Sequence, residues 1–563
     1  MCKFILPVAL VGILCSCSNG YYRDSADRET YAAIASKTEL VPGMSDQIGI
    51  DDSAVVESVN LDGFEVNNSS FEFLDLQASS EVGSRIISLN DALELAFRYS
   101  REYQLQKERL YLEALALTFD RYRYTPTFSF SASGDYQWDA EDQFVSDMQA
   151  LTGMETINTS ESIDAGTTLG SRFLLKGGGV LALTLTNNFT RFLTGDIRET
   201  SSSALFASFT QPLLRDFGTQ VETEALMQAE RDLLYQLREF TRYRKSFAVR
   251  IASQYYSILL DRETARNNYS GLLANNLNLE REQAFQAEGL RTLLQVGRLE
   301  QSALQQDLRW TASITRYKRG LDNFKILIGL SADDNIILDD EEMALISETG
   351  LATPDLDLEQ ALDLAVGTRL DLYSALDRVQ DSYRKIRLAA NALDPILDVS
   401  FNVAVPDSGN GRLGELEFEN AIYTAGLNLD LPLDIKNERN NLRRALIDYD
   451  VASRGYLAEL DAVKLDVRDA WRRMDQALKS YEISLASVEI NERRVEEAEL
   501  RAELGLGDIQ DTVDSQNDLT AARTDLVSTI VEHNIAKLEF WRDIGLLYVD
   551  DSGQWEEGVD EPQ

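Results

Sequence analysis

The sequence predicts a mixed α and β chain in which one unit, paired strands joined to helices far longer than those of an ordinary globular domain, occurs twice. Three features carry that expectation: segments that recur at constant spacing, prolines where helical periodicity gives way to alternation, and an apolar seam along one very long stretch.

The recurrence is read directly. Leu89-Asn90-Asp91-Ala92-Leu93-Glu94-Leu95-Ala96 returns as Leu358-Glu359-Gln360-Ala361-Leu362-Asp363-Leu364-Ala365, 269 positions on, and Pro126 and Pro395 keep that spacing. Each proline ends a helical pattern and precedes alternating residues, Phe128-Ser129-Phe130 and Leu397-Asp398-Val399, so a helix gives way to a strand there. Strand-like segments resume over 205–212 and 425–432, and long helical patterns follow. Past these, Gly289 matches Gly505, Phe324 matches Phe540, and Ile328-Gly329-Leu330 matches Ile544-Gly545-Leu546, all 216 apart. Chance likeness between amphipathic helices would not hold such registers. The spacings differ by 53 residues, 49 of them between the paired prolines of the first copy.

The stretches 223–288 and 436–504 would each be about 100 Å long as continuous helix. Helices of that length need a neighbour along their whole course, in a coiled coil or a tube of helices. In the second copy Leu442, Leu446, Tyr449, Tyr456, Leu460, Val463 and Val467 form a seam broken only at Ser453. Trp471, Met474, Leu478, Tyr481, Leu485 and Val488 continue it after one extra residue. The two successive steps of four resemble a stutter, which straightens a supercoil. On this stripe alone an ordinary coiled coil without a channel is the simpler reading.

Charge and cysteine usage narrow the class. Among 563 residues, 54 basic and 94 acidic side chains give a formal charge of −40, a field that repels nucleic acid. Cys2, Cys15 and Cys17 are the only cysteines. Lys3 and the apolar run 4–14 read as a secretory signal, too short to span a bilayer. Leu14-Cys15-Ser16-Cys17 resembles a bacterial lipobox, which makes Cys17 the expected lipidation site, with 1–16 removed. Cys15 stands where a smaller residue is usual, and ordinary signal cleavage nearby is the other reading. Ser18 after the cysteine favours outer-membrane sorting. No later run holds 18 apolar residues, so any crossing of a membrane falls to strands closed into a barrel. A short helix is expected over 22–37; 42–84, with nine acidic residues and no Lys or Arg, reads as an extended arm or linker.

From 87 to about 547 the chain resembles the TolC-like outer-membrane efflux family, in its lipoprotein form. The duplicated order of helix, strand hairpin and helical hairpin carries the likeness, with the junctions Thr125-Pro126-Thr127-Phe128 and Thr210-Gln211-Pro212-Leu213. The resemblance implies a homotrimeric outer-membrane β-barrel, with about four strands from each protomer and room for an extra hairpin. A long periplasmic α-helical barrel of coiled-coil hairpins would continue it. It further implies a passive exit channel of a tripartite efflux or type I secretion system. The partners would be a periplasmic adaptor (membrane fusion) protein, an inner-membrane RND or ABC pump and outer-membrane lipid. Closure among protomers removes strand edges that lipid does not tolerate.

The expected boundaries are a lipoprotein signal over 1–16 and a lipid-anchored acidic arm over 17–86. The first repeat, 87–350, holds a long hairpin region at 126–212; the second, 351–547, holds a hairpin at 396–432; an acidic tail follows over 548–563. The first hairpin exceeds the family minimum. Residues 135–164 are acidic, without Lys or Arg, and read as a water-exposed loop. Segments 167–173 and 180–189 alternate around Lys176-Gly177-Gly178-Gly179 and read as an extra hairpin that either projects or extends the barrel.

No enzyme is expected, and neither a cofactor nor a metal site. His533 is the only histidine, which excludes an HExxH site and makes a His-based triad unattractive; it reads as a partly exposed helix residue. The helix tips, Gly289-Leu290-Arg291-Thr292 and Gly505-Leu506-Gly507-Asp508, are explained by helix termination and capping alone. In TolC-like proteins the same turns meet the adaptor, which assigns Gly289, Leu290, Arg291, Gly505, Leu506 and Gly507 to that contact. The resemblance also places Asp511 and Asp514 at the periplasmic entrance. Their spacing puts both on one helix face, and threefold symmetry would gather six carboxylates. The first copy has Gln295 and Arg298 there, and a merely solvated face is the plain alternative. A different class of function, a non-conducting envelope lipoprotein serving as a coiled-coil spacer, is disfavoured by the paired strands.

Overall fold

The computed structural model describes residues 19–44, 49–50, 59–141, 158–194, 199–349, 351, 354, 356–407, 415–504 and 509–557. The principal helices are α1 (Asn19–Thr38), α2 (Leu89–Tyr99), α3 (Arg101–Tyr122), α4 (Glu224–Ala287), α5 (Leu293–Leu327), α6 (Leu358–Thr368), α7 (Leu370–Asn391), α8 (Lys436–Glu503) and α9 (Ile509–Asp543). The periodicity located the long ones well: α4 has 64 residues and α8 has 68.

Local chemistry sets the helix ends. Ser88 caps α2 in a reciprocal box with Asp91, and Asp357 caps α6 in the same way with Gln360, satisfying amides that have no partner inside the helix. At the other end of α9, Gly545 takes φ +85. Its N–H donates to Arg542 O at 3.0 Å and that of Leu546 to Trp541 O at 3.1 Å, the paired bonds of a left-handed helix stop.

The chain divides into two compact units, Met1–Ala33 with Ala114–Leu233 and Asp377–Arg454, and Ile34–Glu113 with Leu234–Leu376 and Gly455–Gln563. The first contains an antiparallel sheet of β2 (Thr127–Glu141), β3 (Asn158–Leu174), β4 (Val180–Phe192), β5 (Glu199–Pro212), β7 (Ile396–Val405) and β8 (Ile422–Asp430). Its spatial order is β2-β3-β4-β5-β7-β8. The extra hairpin therefore extends this sheet and does not project from it. Of the loop expected over 135–164, residues 135–141 and 158–164 instead pair along β2 and β3, and 142–157 lie outside the described residues. Beside the sheet, Arg384 binds Glu224 at 3.0 Å and Asp381 at 2.9 Å, while Arg231 binds Asp381 at 3.0 Å.

The second unit is helical, with two small sheets. In one, β1 (Arg85–Ile87) runs parallel to β6 (Ile336–Leu338); in the other, β9 (Leu547–Val549) is antiparallel to β10 (Trp555–Glu557). Its core buries Tyr255, Phe247, Tyr317, Phe324 and Phe540. The acidic stretch read as an extended arm is folded over residues 59–87. Asn67 N–H donates to Ser84 O at 2.9 Å, Ile86 N–H to Glu65 O at 2.8 Å, and Trp310 Nε1–H to Phe73 O at 2.7 Å. Glu81, only 1% exposed, accepts from Lys318 Nζ at 2.7 Å and lies 3.5 Å from the buried guanidinium of Arg262. The Phe71 ring lies against that guanidinium, 4.7 Å to its centroid.

Candidate functional site

The sheet is the most informative surface, because directly paired residues share a face. One row runs Phe130, Leu169, Leu185, Leu205, Val405 across five strands. The next apolar row runs Phe128, Ser171, Leu183, Ala207, Val403, Tyr423 across all six. A third runs Phe173, Leu181, Phe209, Phe401, Ala425. The intervening rows are polar or small, with one cation, Arg172: Ser131, Thr168, Thr186, Ala204, and Thr127, Arg172, Ala182, Ser208, Asn402, Thr424. Phe206 and Ile422 are exceptions on that face.

An apolar face that is left exposed needs an apolar solvent or a partner. Phe128 and Tyr423 are both 76% exposed, on the two edge strands. On β2 the apolar alternation runs from Phe128 to Trp138; on a tilted strand that is a band about 25 Å tall, the height of a bilayer's hydrocarbon layer. At the level of Tyr136 the same face turns charged on β4 and β5, with Arg191 and Glu199 ion-paired at 3.7 Å. Among the described residues no helix is long and apolar enough to cross a membrane.

At the first helix tip, Gly289 takes φ +76. Its N–H donates to Gln286 O at 2.9 Å and that of Leu290 to Phe285 O at 2.9 Å; Thr292 then caps α5 in a box with Gln295. Arg291 turns back onto its own hairpin, its Nε 2.7 Å from Glu282. What the tip offers outward is apolar: Leu290, Leu293 and Leu294 are 67%, 76% and 68% exposed. Leu293 and Leu294 were missed in the sequence because their spacing fits a buried helix stripe equally well. Gly505, Leu506, Gly507 and Cys17 lie outside the described residues.

Asp511 and Asp514 are exposed near the start of α9. Gln510 Nε2 donates to Asp514 at 2.9 Å. Between them in sequence, Val513 is buried against Leu299, with Leu279 packed alongside. This contact seats α9 on α5 and α4 and turns both carboxylates away from it. Asp518, one turn further along the face, is held by Arg494 at 2.8 Å. That pair was not legible in the chain, because its members lie on different helices.

Other titratable groups are structural. His533 is not partly exposed as expected: it is 1% exposed, and neither ring nitrogen has a hydrogen-bond partner. Burial, and secondarily Lys537, hold its imidazole below the usual value. A polar cleft of about 400 Å³ is lined by Arg242, Lys245, Arg369, Asp466, Glu539 and Arg542. Its arginines are ion-paired, Arg369 with Asp371 at 2.6 Å, Arg242 with Asp371 at 3.0 Å and Arg473 with Glu539 at 3.1 Å, and Lys245 Nζ donates to Gly545 O at 2.8 Å. Burial opposes ionisation of Asp371, but the two arginines hold its carboxyl below the usual range. Among the described residues no cluster of His, Cys, Asp and Glu is arranged to hold a metal ion.

Residues 361–529 match a family model described as outer membrane efflux protein. No curated protein matches the chain. Solved structures do. The outer-membrane channel OprN is 13% identical over 89% of this chain and 99% of its own, with a TM-score of 0.57. The CmeC outer membrane channel of Campylobacter jejuni is 15% identical over 90% and 96%, with a TM-score of 0.59. The outer membrane protein VceC of Vibrio cholerae is 15% identical over 81% and 96%, with a TM-score of 0.59. At such identities the likeness is one of fold.

Proposed function

Because residues 361–529 carry an outer membrane efflux protein domain within the fold of outer-membrane efflux channels, we propose that this chain is a passive exit duct. It serves a tripartite efflux or type I secretion system, and it has no catalytic role. The observation that carries the reading is the sheet with one apolar and one hydroxyl-rich face. Such a sheet separates lipid from water, whereas a coiled-coil spacer has no use for it.

Two edges, β2 and β8, lack partners within the sheet, and unpaired backbone groups facing hydrocarbon are too costly to persist. Closure therefore involves other copies, three by the family resemblance. The α8 seam supports the same assembly: Val463, Val467 and Met474 are buried within one chain, while Leu446 and Leu485 stay exposed for a neighbour. The duplication read in the sequence is supported by α5 and α9 of 35 residues each and by equal lengths of α2 and α6. The helices extend into the periplasm, where the tips at Leu290, Leu293 and Leu294 meet an adaptor bound to an inner-membrane RND or ABC pump. Cys17 carries the lipid anchor in the outer membrane.

The purified protein in a planar bilayer should give stepwise conductance; repeated insertion without any current sinks the duct. Asp511 and Asp514 set a preference for cations at the entrance, as a ring of carboxylates does in other pores. Replacing both with Ala should shift the reversal potential in a salt gradient toward zero. An unchanged potential removes them from the entrance and leaves the duct itself standing.

A further inference from the structure

Resting on the exit-duct reading, we propose that β2 of each protomer pairs with β8 of the next. Three copies then close an eighteen-stranded barrel, wide enough for bulky hydrated cargo.

The two edges fit each other. All five strand pairings in the sheet are antiparallel, so with six strands the outer two run in opposite directions, as antiparallel closure requires. Their faces agree as well. With the helix-proximal ends level, Phe128 stands opposite Leu429, Phe130 opposite Leu427, and Ser129 opposite Asn428, which joins apolar to apolar and polar to polar. A shift by an even number of residues preserves that match; an odd shift destroys it. The alternative, closure through β4 with the first hairpin left outside, is blocked because β3 pairs β4 along its entire length, Val180 to Phe192.

Barrel diameter grows roughly linearly with strand number, so eighteen strands give a bore about 1.5-fold wider than twelve at equal tilt. The middle of the wall presents Ser131, Thr168, Thr186, Asn188 and Ser202. Hydroxyls and amides hydrate a passing polymer without the fixed charge that would hold it. The charges of this face lie toward its ends, Arg172, Asp398 and Asp430 on one side, Asp135 and Asp164 on the other.

Two measurements test this on the full chain. In the first, S129C is combined in turn with T424C, G426C and N428C and treated with a short thiol cross-linker. One combination should give covalent dimers and trimers. No product from any of them, with product from A182C and N428C, overturns the proposal in favour of closure through β4. In the second, S400C, on the polar face, is labelled from outside the cell with maleimide-polyethylene glycols of increasing size. The full chain should admit polymers that are excluded from a variant lacking residues 127–174. That deletion joins α3 to the start of β4, on the side where β2 began. Equal cut-offs overturn the wide bore alone. Failure of even the smallest maleimide to reach S400C counts instead against a water-filled duct. If the shortened variant does not fold, the cross-linking result decides.

Discussion

Replacing Glu81 with alanine removes a carboxylate that sits 1% exposed between two cations. Lys318 donates to it at 2.7 Å, and the guanidinium of Arg262, itself 1% exposed, stands 3.5 Å away. Stripping one member from a buried ionic cluster costs about 3–5 kcal/mol, since the remaining charge is left uncompensated. Here Arg262 keeps Asp340 at 2.7 Å and the carbonyl of Leu338 at 3.3 Å, so the lower end, about 3 kcal/mol, applies. At 1.4 kcal/mol per decade, the segment 59–87 should open roughly a hundredfold more often. Hydrogen exchange of peptides containing Asn67, Arg85 and Ile86, whose amides are all bonded in the folded arm, reads this directly. Replacing Glu81 and Arg262 together with methionine should cost less than E81A alone, because no buried charge is left bare. Exchange in E81A within threefold of the unaltered protein refutes the reasoning and makes the arm's attachment apolar.

Lys245 is buried, and burial first, then Arg244, lowers its ammonium from the usual 10.5 to about 8. Between those values the unfolded chain holds a proton that the folded one has lost, so stability rises with pH across that window; melting followed by tryptophan fluorescence should show the rise, and K245M should lack it. His533 titrates below its usual 6.5, so its contribution is complete above that pH and is lost as pH falls toward the folded value; H533L should flatten acid melting curves. An added methyl at Gly545 would meet Thr368 Oγ1 at 2.6 Å, whereas at Gly289 it meets open space. Both alanine variants suffer left-handed strain of about 1–2 kcal/mol, and G545A should melt clearly lower than G289A. Finally, L185R places a cation on the apolar face at a cost of about 2–4 kcal/mol at mid-bilayer depth, so it should fold poorly into lipid vesicles, while T186R on the opposite face inserts normally.

Much of this was legible in the chain, for local reasons. A proline after a helical period, as at Pro126 and Pro395, dictates where helix yields to strand, and glycines such as Gly289 and Gly545 dictate where helices stop. The width of the sheet was not legible. Whether β3 pairs with β2, with β4 or with both depends on distant edges, and the alternation in one segment carries no record of its neighbours. The ends of β2 and β3 read as loop because acids such as Asp135 and Asp164 dominate their composition and mask the alternation of Tyr136 and Trp138. The folded arm was hidden by composition: its nine acids suggested a solvated linker, yet one of them, Glu81, is the residue that fastens it down. His533 was misplaced for the opposite reason, as a lone polar residue whose burial leaves no pattern in the chain. At the proposed entrance, the spacing of Asp511 and Asp514 indicates their shared face, while the Arg494–Asp518 pair beside them depends on two helices meeting.

The contact of Leu279, Leu299 and Val513 limits how such a protein can change length in evolution. One residue inserted into α5 would turn everything beyond it by about 100° and lift it 1.5 Å, pulling Leu299 off its partners. Seven residues return a helix face to within about 20° of where it began and add about 10 Å. The insertion has to occur in α4 as well as α5 to keep the hairpin closed, and in α8 and α9 to keep the neighbouring hairpin beside it. The length of the helical hairpins is therefore adjusted in quanta of two turns, applied to four helices together, and not one residue at a time.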